Sequence, residues 1–491
     1  MGYSWGVAPW LYYSRLSGAH KNGRKNLPKT TCGTRWKRSL RRKMAEHPKT
    51  ATFDRCLCSR STNRGPGSLL CIALALVVFE GAIRKWLIGS EAGLWSYLAY
   101  FSKDLVFSAI ILWPVQRVTS PALAVFSQWS IPGALLFLVG AILSCLRGLN
   151  PVGALLTLRA GLLLPLLSLL AARRLIGVHP TRIARLMVLC ALINCGLGVV
   201  QSGLGPDHPL NRYVLVDSPI TALETAVRAT GTFSYITGLG IMSGVGIWAG
   251  IILLAFARGR PAQLLAIAGV VAGFGCALAS VSRGPVIIGC GMLVAWGCFS
   301  RPGFAALSRS AAMWTPLLLL ICCGAFFPRL CQLGRAVIAR HEIGEDTFVQ
   351  RAFGQLREGC EASAVHPFGS GLGTEQVGGN YAASGTMSFT NYETQLPRLI
   401  AETGLVGLAG YLAVCSGAIL ALQRARRFAP TTEMSAAIFA TQVLFVPLFY
   451  CNMLFNHIAS AFVWMIFAAV LSMPLDGSGR ECEAKVIPRA E

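Results

Sequence analysis

The stretch SYITGLGIMSGVGIWAGIILLAFA, Ser234 to Ala257, decides the fold of this chain. Its 24 residues include no Asp, Glu, Lys or Arg and no proline. The apolar side chains follow neither the alternation of a half-buried strand nor the three-to-four spacing of an amphipathic helix. A charge-free run of this length matches the roughly 20 residues that a helix needs to cross a bilayer core. Working outward, runs of the same kind occupy 67–87, 95–115, 122–145, 151–172, 183–203, 262–281, 284–300, 311–328, 398–422, 433–451 and 457–474. Only 13% of the 491 residues are charged and the mean hydropathy is +0.56, more apolar surface than a soluble core can hide. The expected fold is all-α and integral to the membrane, a single domain of about 12 transmembrane helices.

The formal charge of +23 points at first to nucleic acid, but its distribution argues against that partner. Residues 1–66 carry 15 Lys and Arg against Glu46 and Asp54, including the run Lys37-Arg38-Ser39-Leu40-Arg41-Arg42-Lys43, and contain no long apolar segment. They read as a disordered cytoplasmic tail, the alternative being an arm for anionic lipid or nucleic acid. A translation start downstream at Met44 is a further alternative. With this tail inside, every second connection is cytoplasmic, and those connections hold Arg117; Arg173, Arg174, Arg182 and Arg185; Arg258 and Arg260; Arg301 and Arg309; and Arg424, Arg426 and Arg427. This is the positive-inside pattern of a bacterial inner-membrane protein with both termini cytoplasmic, and Arg84 and Lys85 are a local exception. The expected organisation is a tail 1–66, nine helices in 67–328, a large periplasmic loop 329–397 between helices 9 and 10, three helices in 398–475, and a tail 476–491. A second outer connection spans about 204 to 233.

Most of the 17 cysteines fall inside apolar runs, where Cys behaves as a small hydrophobe. Cys56 and Cys58 lack a second pair at zinc spacing, so no metal site is expected. Cys331 and Cys360 both fall in the oxidising-side loop, and a disulfide between them is predicted.

Charges inside membrane spans are costly and mark functional hypotheses. Glu80 and Arg84 stand one turn apart near the outer end of the first span, and Lys103 and Asp104 lie in the outer third of the second. Two readings are open for them: ion pairs that fix helices together, or contacts to substrate. Arg147 is close enough to a boundary to snorkel, whereas Arg159 has about two turns of apolar residues before it.

A second group converges on the outer face. Arg228 lies in Val227-Arg228-Ala229-Thr230-Gly231-Thr232-Phe233, just before the sixth span, and Arg283 in Ser282-Arg283-Gly284 at the turn between the seventh and eighth. Arg351 precedes His366-Pro367-Phe368-Gly369-Ser370-Gly371-Leu372-Gly373 in the large loop. Asn391-Tyr392-Glu393 and Glu402-Thr403-Gly404-Leu405-Val406-Gly407 follow. Guanidinium forks at a water–lipid boundary suit a diphosphate, which they bind bidentately while staying charged. The glycine-rich stretch is no dinucleotide fingerprint, because no βαβ unit surrounds it. His366 reads as a surface loop histidine.

These pieces, in this order and spacing, resemble the O-antigen ligase and O-antigen/exopolysaccharide polymerase superfamily over roughly residues 67–475. Phe79-Glu80-Gly81-Ala82-Ile83-Arg84-Lys85-Trp86 followed by Lys103-Asp104 resembles the opening signature of its exopolysaccharide-polymerase-like branch. The resemblance implies glycosyl transfer from an undecaprenyl-diphosphate-linked glycan on the periplasmic face. The acceptor would be another lipid-linked repeat unit or a lipid A core sugar, and a chain-length regulator is a possible partner. It implies no cofactor and no metal: Arg228, Arg283 and Arg351 would hold the diphosphate, with Arg159, Glu80, Lys103 and Asp104 as accessory residues. Many ligases carry a His-Asn pair about nine residues before the Glu-x-Gly turn; here Glu393 stands at that place. Glu393 is then the candidate base for the acceptor hydroxyl, the alternative being a cap or a pair with a loop arginine. A transporter or flippase of a lipid-linked glycan is the competing class; it is expected to show internal repeats, which this chain lacks. A non-catalytic scaffold of a polysaccharide export complex is the third.

Overall fold

The computed structural model describes residues 64–88, 93–113, 120–175, 178–213, 221–222, 226–256, 259–299, 331–335, 348–375, 395–429, 431–450 and 457–473. All of them fall within one compact unit, Arg60–Glu491. A helix stands at every expected membrane segment that these residues reach; the ninth segment, 311–328, lies outside them. The helices are α1 (Arg64–Ala82), α2 (Gly93–Leu112), α3 (Pro121–Cys145), α4 (Pro151–Leu158), α5 (Leu164–Ala172), α6 (Pro180–Gly203), α7 (Ile236–Phe256), α8 (Arg260–Ala279), α9 (Arg283–Phe299), α10 (Phe348–Val365), α11 (Gln395–Arg427), α12 (Thr432–Tyr450) and α13 (His457–Leu471). A two-residue antiparallel pair, Thr221–Ala222 with Ala226–Val227, precedes α7. Seven helices among the described residues are long and apolar enough to cross a membrane.

Several helix starts follow from their sequence. Pro121 and Pro151 occupy first-turn positions where the missing N–H costs nothing. Ser120 Oγ then accepts from Leu123 N and Asn150 Oδ1 from Gly153 N, satisfying donors that the first turn would otherwise leave open. Two helices are less regular than continuous spans at 67–87 and 151–172 imply. α1 ends in a π-helical turn, Ile83–Ile88, and another π-helical turn, Arg159–Leu163, joins α4 to α5. α11 is broken at Gly404, whose φ of 66° and ψ of −171° divide a short leading helix from the long one that follows.

The charge-free stretch from Ser234 to Phe256 forms the centre of the bundle. In α7, 83% of the most apolar window is buried, the largest share among the seven candidate spans. Its glycines permit that position: a Cβ on Gly246 would meet Ala191 Cβ at 2.9 Å, and one on Gly250 would meet Ala266 O at 2.6 Å. Close approach over small residues is how helices associate where lipid is as apolar as their own side chains. α3 and α11 cross in the same way. A Cβ on Gly133 would lie 2.8 Å from Gly410 O, and one on Gly410 would lie 2.6 Å from Gly133 O. Leu135, Val139 and Ile142 on α3, and Ile287 and Val294 on α9, are exposed, as lipid-facing positions should be. Gly410→Leu is expected to cost about 1–3 kcal/mol or more through overpacking. A thermal unfolding midpoint in detergent equal to that of the wild type would contradict the close crossing.

One expectation needs correction. Cys331 and Cys360 are both free and exposed rather than joined; they stand on separate helical segments, residues 331–335 and α10.

Candidate functional site

Two helices and the two π-helical turns supply a buried charge network. Glu80 of α1 pairs with Arg84 at 3.1 Å and with Lys103 of α2 at 2.5 Å. Asp104 of α2 receives Arg159 Nε at 2.6 Å and its NH2 at 2.8 Å, a bidentate pair. Arg159 NH1 donates to Tyr100 Oη at 3.0 Å, and the Tyr100 ring lies 3.8 Å from Lys103 Nζ. Glu80, Lys103 and Arg159 are at most 2% exposed and Asp104 is 8% exposed. A lone charge at such depth costs several kcal/mol, so these side chains persist by neutralising one another. Of the two readings left open for Glu80, Arg84, Lys103 and Asp104, this geometry is the ion-paired one, and Arg159 joins the cluster through Asp104. Arg84 and Lys85 sit in the first π-helical turn and Arg159 opens the second, a backbone irregularity that often accompanies functional sites.

Lys85 ties this network to the Arg228 segment. Its ammonium donates to Thr230 Oγ1 at 2.8 Å and to Gly231 O at 2.9 Å. The same turn is gripped by α6. Gln201 Oε1 accepts from Thr230 N at 3.2 Å and Gly231 N at 2.8 Å, and Asn194 Oδ1 accepts from Thr232 N at 2.8 Å. Thr232 Oγ1 donates to Val78 O of α1 at 2.6 Å. Gly231 has φ of 59° and abuts Asn194, so a side chain there would meet both strain and a clash. Arg228 itself reaches across to the α8–α9 turn, its Nε donating to Ser280 O at 3.2 Å and its NH2 to Ser282 Oγ at 3.1 Å. Ala229 N donates to Ala279 O at 3.0 Å. Arg228 and Arg283, far apart in sequence, therefore stand on adjoining turns. Between Ser280 and Arg283, the fully buried Val281 is held at φ of 48°, which a β-branched residue adopts only when its surroundings enforce it.

The glycine-rich turn is wedged between two other helix ends. Leu372 N donates to Gly148 O at 3.0 Å and Asn150 N to Leu372 O at 3.1 Å, fastening the turn to the α3–α4 connection. Ser370 N donates to Ala401 O at 2.7 Å, and Leu405 N to Pro367 O at 3.2 Å, fastening it to the break in α11. Gly369, Gly371, Gly373 and Gly404 all have positive φ, the conformation that these two closely pressed backbones require. Arg147 NH1 lies 2.8 Å from His366 Nδ1, so the loop histidine is engaged at this junction. Ser144 Oγ donates to the Glu402 carbonyl. The Glu402 side chain, 1% exposed, accepts from Thr157 Oγ1 at 2.8 Å, while its Oε1 has no hydrogen-bond partner among the described residues. Beside it, burial pushes the Glu375 carboxyl up from its ordinary range, and the charge of Arg398 opposes that shift.

No family model matches the chain, and neither does any curated protein.

The separate motifs nevertheless form one belt. α4 and the π-helical turn that follows it link its two halves, because Thr157 holds Glu402 and Arg159, two residues on, holds Asp104. The hydrogen bonds gather the C-terminal ends of α1, α3, α6 and α8 with the N-terminal ends of α4, α7, α9 and α11 at one end of the bundle. Helix direction then places Arg173, Arg174, Arg182, Arg185, Arg260, Arg424, Arg426 and Arg427 at the other end. Of the remaining expected site residues, Arg351 belongs by its backbone to α10, and Glu393 lies outside the described residues. Lys85, Tyr100, Thr157, Gln201 and Arg398 were not singled out as site residues, and Glu402 was quoted only as part of a motif. Gln201 and Glu402 carried a readable signal, each being strongly polar within or beside an apolar run.

Proposed function

We propose that this chain is a membrane glycosyltransferase of about 12 spans. It moves a glycan from an undecaprenyl-diphosphate carrier to a second lipid-linked repeat unit or to a lipid A core sugar, at the periplasmic face of the bacterial inner membrane. The observation that carries the reading is the union of the Arg228 turn with the Ser280–Arg283 turn, held rigid by Gln201, Asn194 and Lys85. Fixed guanidiniums at the rim of an apolar bundle are suited to a diphosphate leaving group, whose developing charge they would stabilise without having to reorganise. Arg351 completes the proposed clamp, and Glu393 is the proposed base for the acceptor hydroxyl. The arginine-rich opposite end supports an inward orientation for that end and a periplasmic one for the belt and for residues 329–397. A chain-length regulator is the proposed partner of the polymerising form.

One structural feature favours a second reading, a transporter of the same lipid-linked glycan: a broken helix beside buried charges, as in α11 at Gly404, is common in carriers. The test separating the two uses proteoliposomes containing the full chain and purified lipid-linked repeat units. Longer or transferred glycan with release of undecaprenyl diphosphate supports transfer, and translocated but chemically unchanged donor overturns it. In the same assay Glu393→Gln is expected to lower turnover by roughly 100-fold or more while donor binding stays near that of the wild type. Wild-type turnover would return that carboxylate to a structural role. A cysteine placed at Gly378 should react with an impermeant thiol reagent in intact spheroplasts; reaction only after permeabilisation would overturn the orientation.

A further inference from the structure

The end of the bundle away from the belt holds a second constellation. A cavity of about 570 Å³ opens between the C-terminal end of α11 and the first turns of α12, lined by Gln423, Arg426, Arg427, Ser435, Phe439 and Gln442. Arg424, Arg426 and Arg427 form the last turn of α11, where cations complement the exposed carbonyls of a helix end. That effect accounts for basic residues here but not for how Arg426 is held. Its guanidinium carbon lies 4.5 Å from the ring centroid of Phe299 and 4.5 Å from that of Phe439. Its Nε donates to Ser435 Oγ at 3.3 Å. Among the described residues, neither terminal nitrogen of Arg426 has a hydrogen-bond acceptor. Glu433, in the first turn of α12, forms no ion pair with any of the three arginines.

A guanidinium packed against two aromatic rings and tied to Ser435, with an exposed second guanidinium beside it, presents the fork that phosphate oxygens accept bidentately. The cavity is large enough for a phosphorylated headgroup, and it lies where two apolar helices end, so a phosphate attached to a lipid reaches it directly from the bilayer. We propose that this cavity binds the phosphodiester headgroup of an anionic phospholipid from the leaflet at the arginine-rich end. Basic pockets between transmembrane helices are a recurrent form of such recognition. The proposal is independent of glycosyl transfer, because the cavity shares no residue with the belt.

The test is native mass spectrometry of the full-length, delipidated protein with phosphatidylglycerol, phosphatidylcholine or inorganic phosphate. The wild type should retain phosphatidylglycerol well above phosphatidylcholine, and Arg426→Gln/Arg427→Gln should weaken that retention by about tenfold or more. Arg427 is exposed, so Arg427→Glu should by itself reduce phosphatidylglycerol retention, read on protein whose gel-filtration profile matches that of the wild type. Equal retention of phosphatidylcholine, or wild-type retention by the folded Arg427→Glu protein, would overturn the proposal. Competition by inorganic phosphate at the same concentration would overturn the lipid as its ligand.

Discussion

Arg228→Ala should lower glycan transfer from a purified lipid-linked donor by at least about 100-fold, the range seen when a fixed donor to developing charge is removed. The guanidinium is not a loose surface charge. It is oriented by Ser280 O and Ser282 Oγ, on a turn whose following amides are held by Gln201 and Asn194. Alanine removes the fork and its two bonds to the neighbouring turn, while the backbone bond from Ala229 N to Ala279 O still joins the two turns, so the loss reads the guanidinium itself. Arg283→Lys separates charge from geometry: it keeps the charge but not the planar fork, and should still lose much of the activity. Each variant must first be shown to insert and to elute as the wild type. Wild-type rates in Arg228→Ala and Arg283→Ala would remove the diphosphate clamp from the account.

Asp104→Ala should reduce stability by about 3–5 kcal/mol, because it leaves the Arg159 guanidinium buried without its carboxylate. Arg159 is 2% exposed and makes both of its short bonds to that one side chain. Against a typical total stability of about 5–15 kcal/mol, such a loss should collapse the yield of folded protein in detergent. Replacing both partners with apolar residues, as in Asp104→Leu/Arg159→Met, removes the stranded charge and should recover much of the yield. A double variant as unstable as the sum of the two single variants would show that the pair is not coupled.

The helical architecture was legible because charge-free runs leave little choice: a stretch such as Ile236–Phe256 must be buried on every side or face lipid. The arginines of several alternate connections do stand together, at the end of the bundle opposite the Arg228 and Ser280–Arg283 turns. Pairing within the network was not. Lys103 and Asp104 are neighbours in sequence, yet one binds Glu80 and the other Arg159, since successive helical residues point about 100° apart. The π-helical turns at Ile83–Ile88 and Arg159–Leu163 were hidden because one extra residue per turn scarcely disturbs an apolar pattern. Gly404 was quoted as part of a motif, but glycine in an apolar run permits a regular helix as well as a break. Here the break follows from a distant segment, the turn at Pro367–Gly369, pressing against it. Glu402 became a site residue only once Thr157 and that turn surrounded it.

The most direct measurement is the binding of undecaprenyl diphosphate to the purified protein, read without turnover. Binding should be saturable, should fall at least about tenfold in Arg228→Ala and in Arg283→Ala, and should be weaker for undecaprenyl monophosphate, which offers fewer oxygens to the forks. Folded variants binding undecaprenyl diphosphate as tightly as the wild type would contradict the diphosphate clamp.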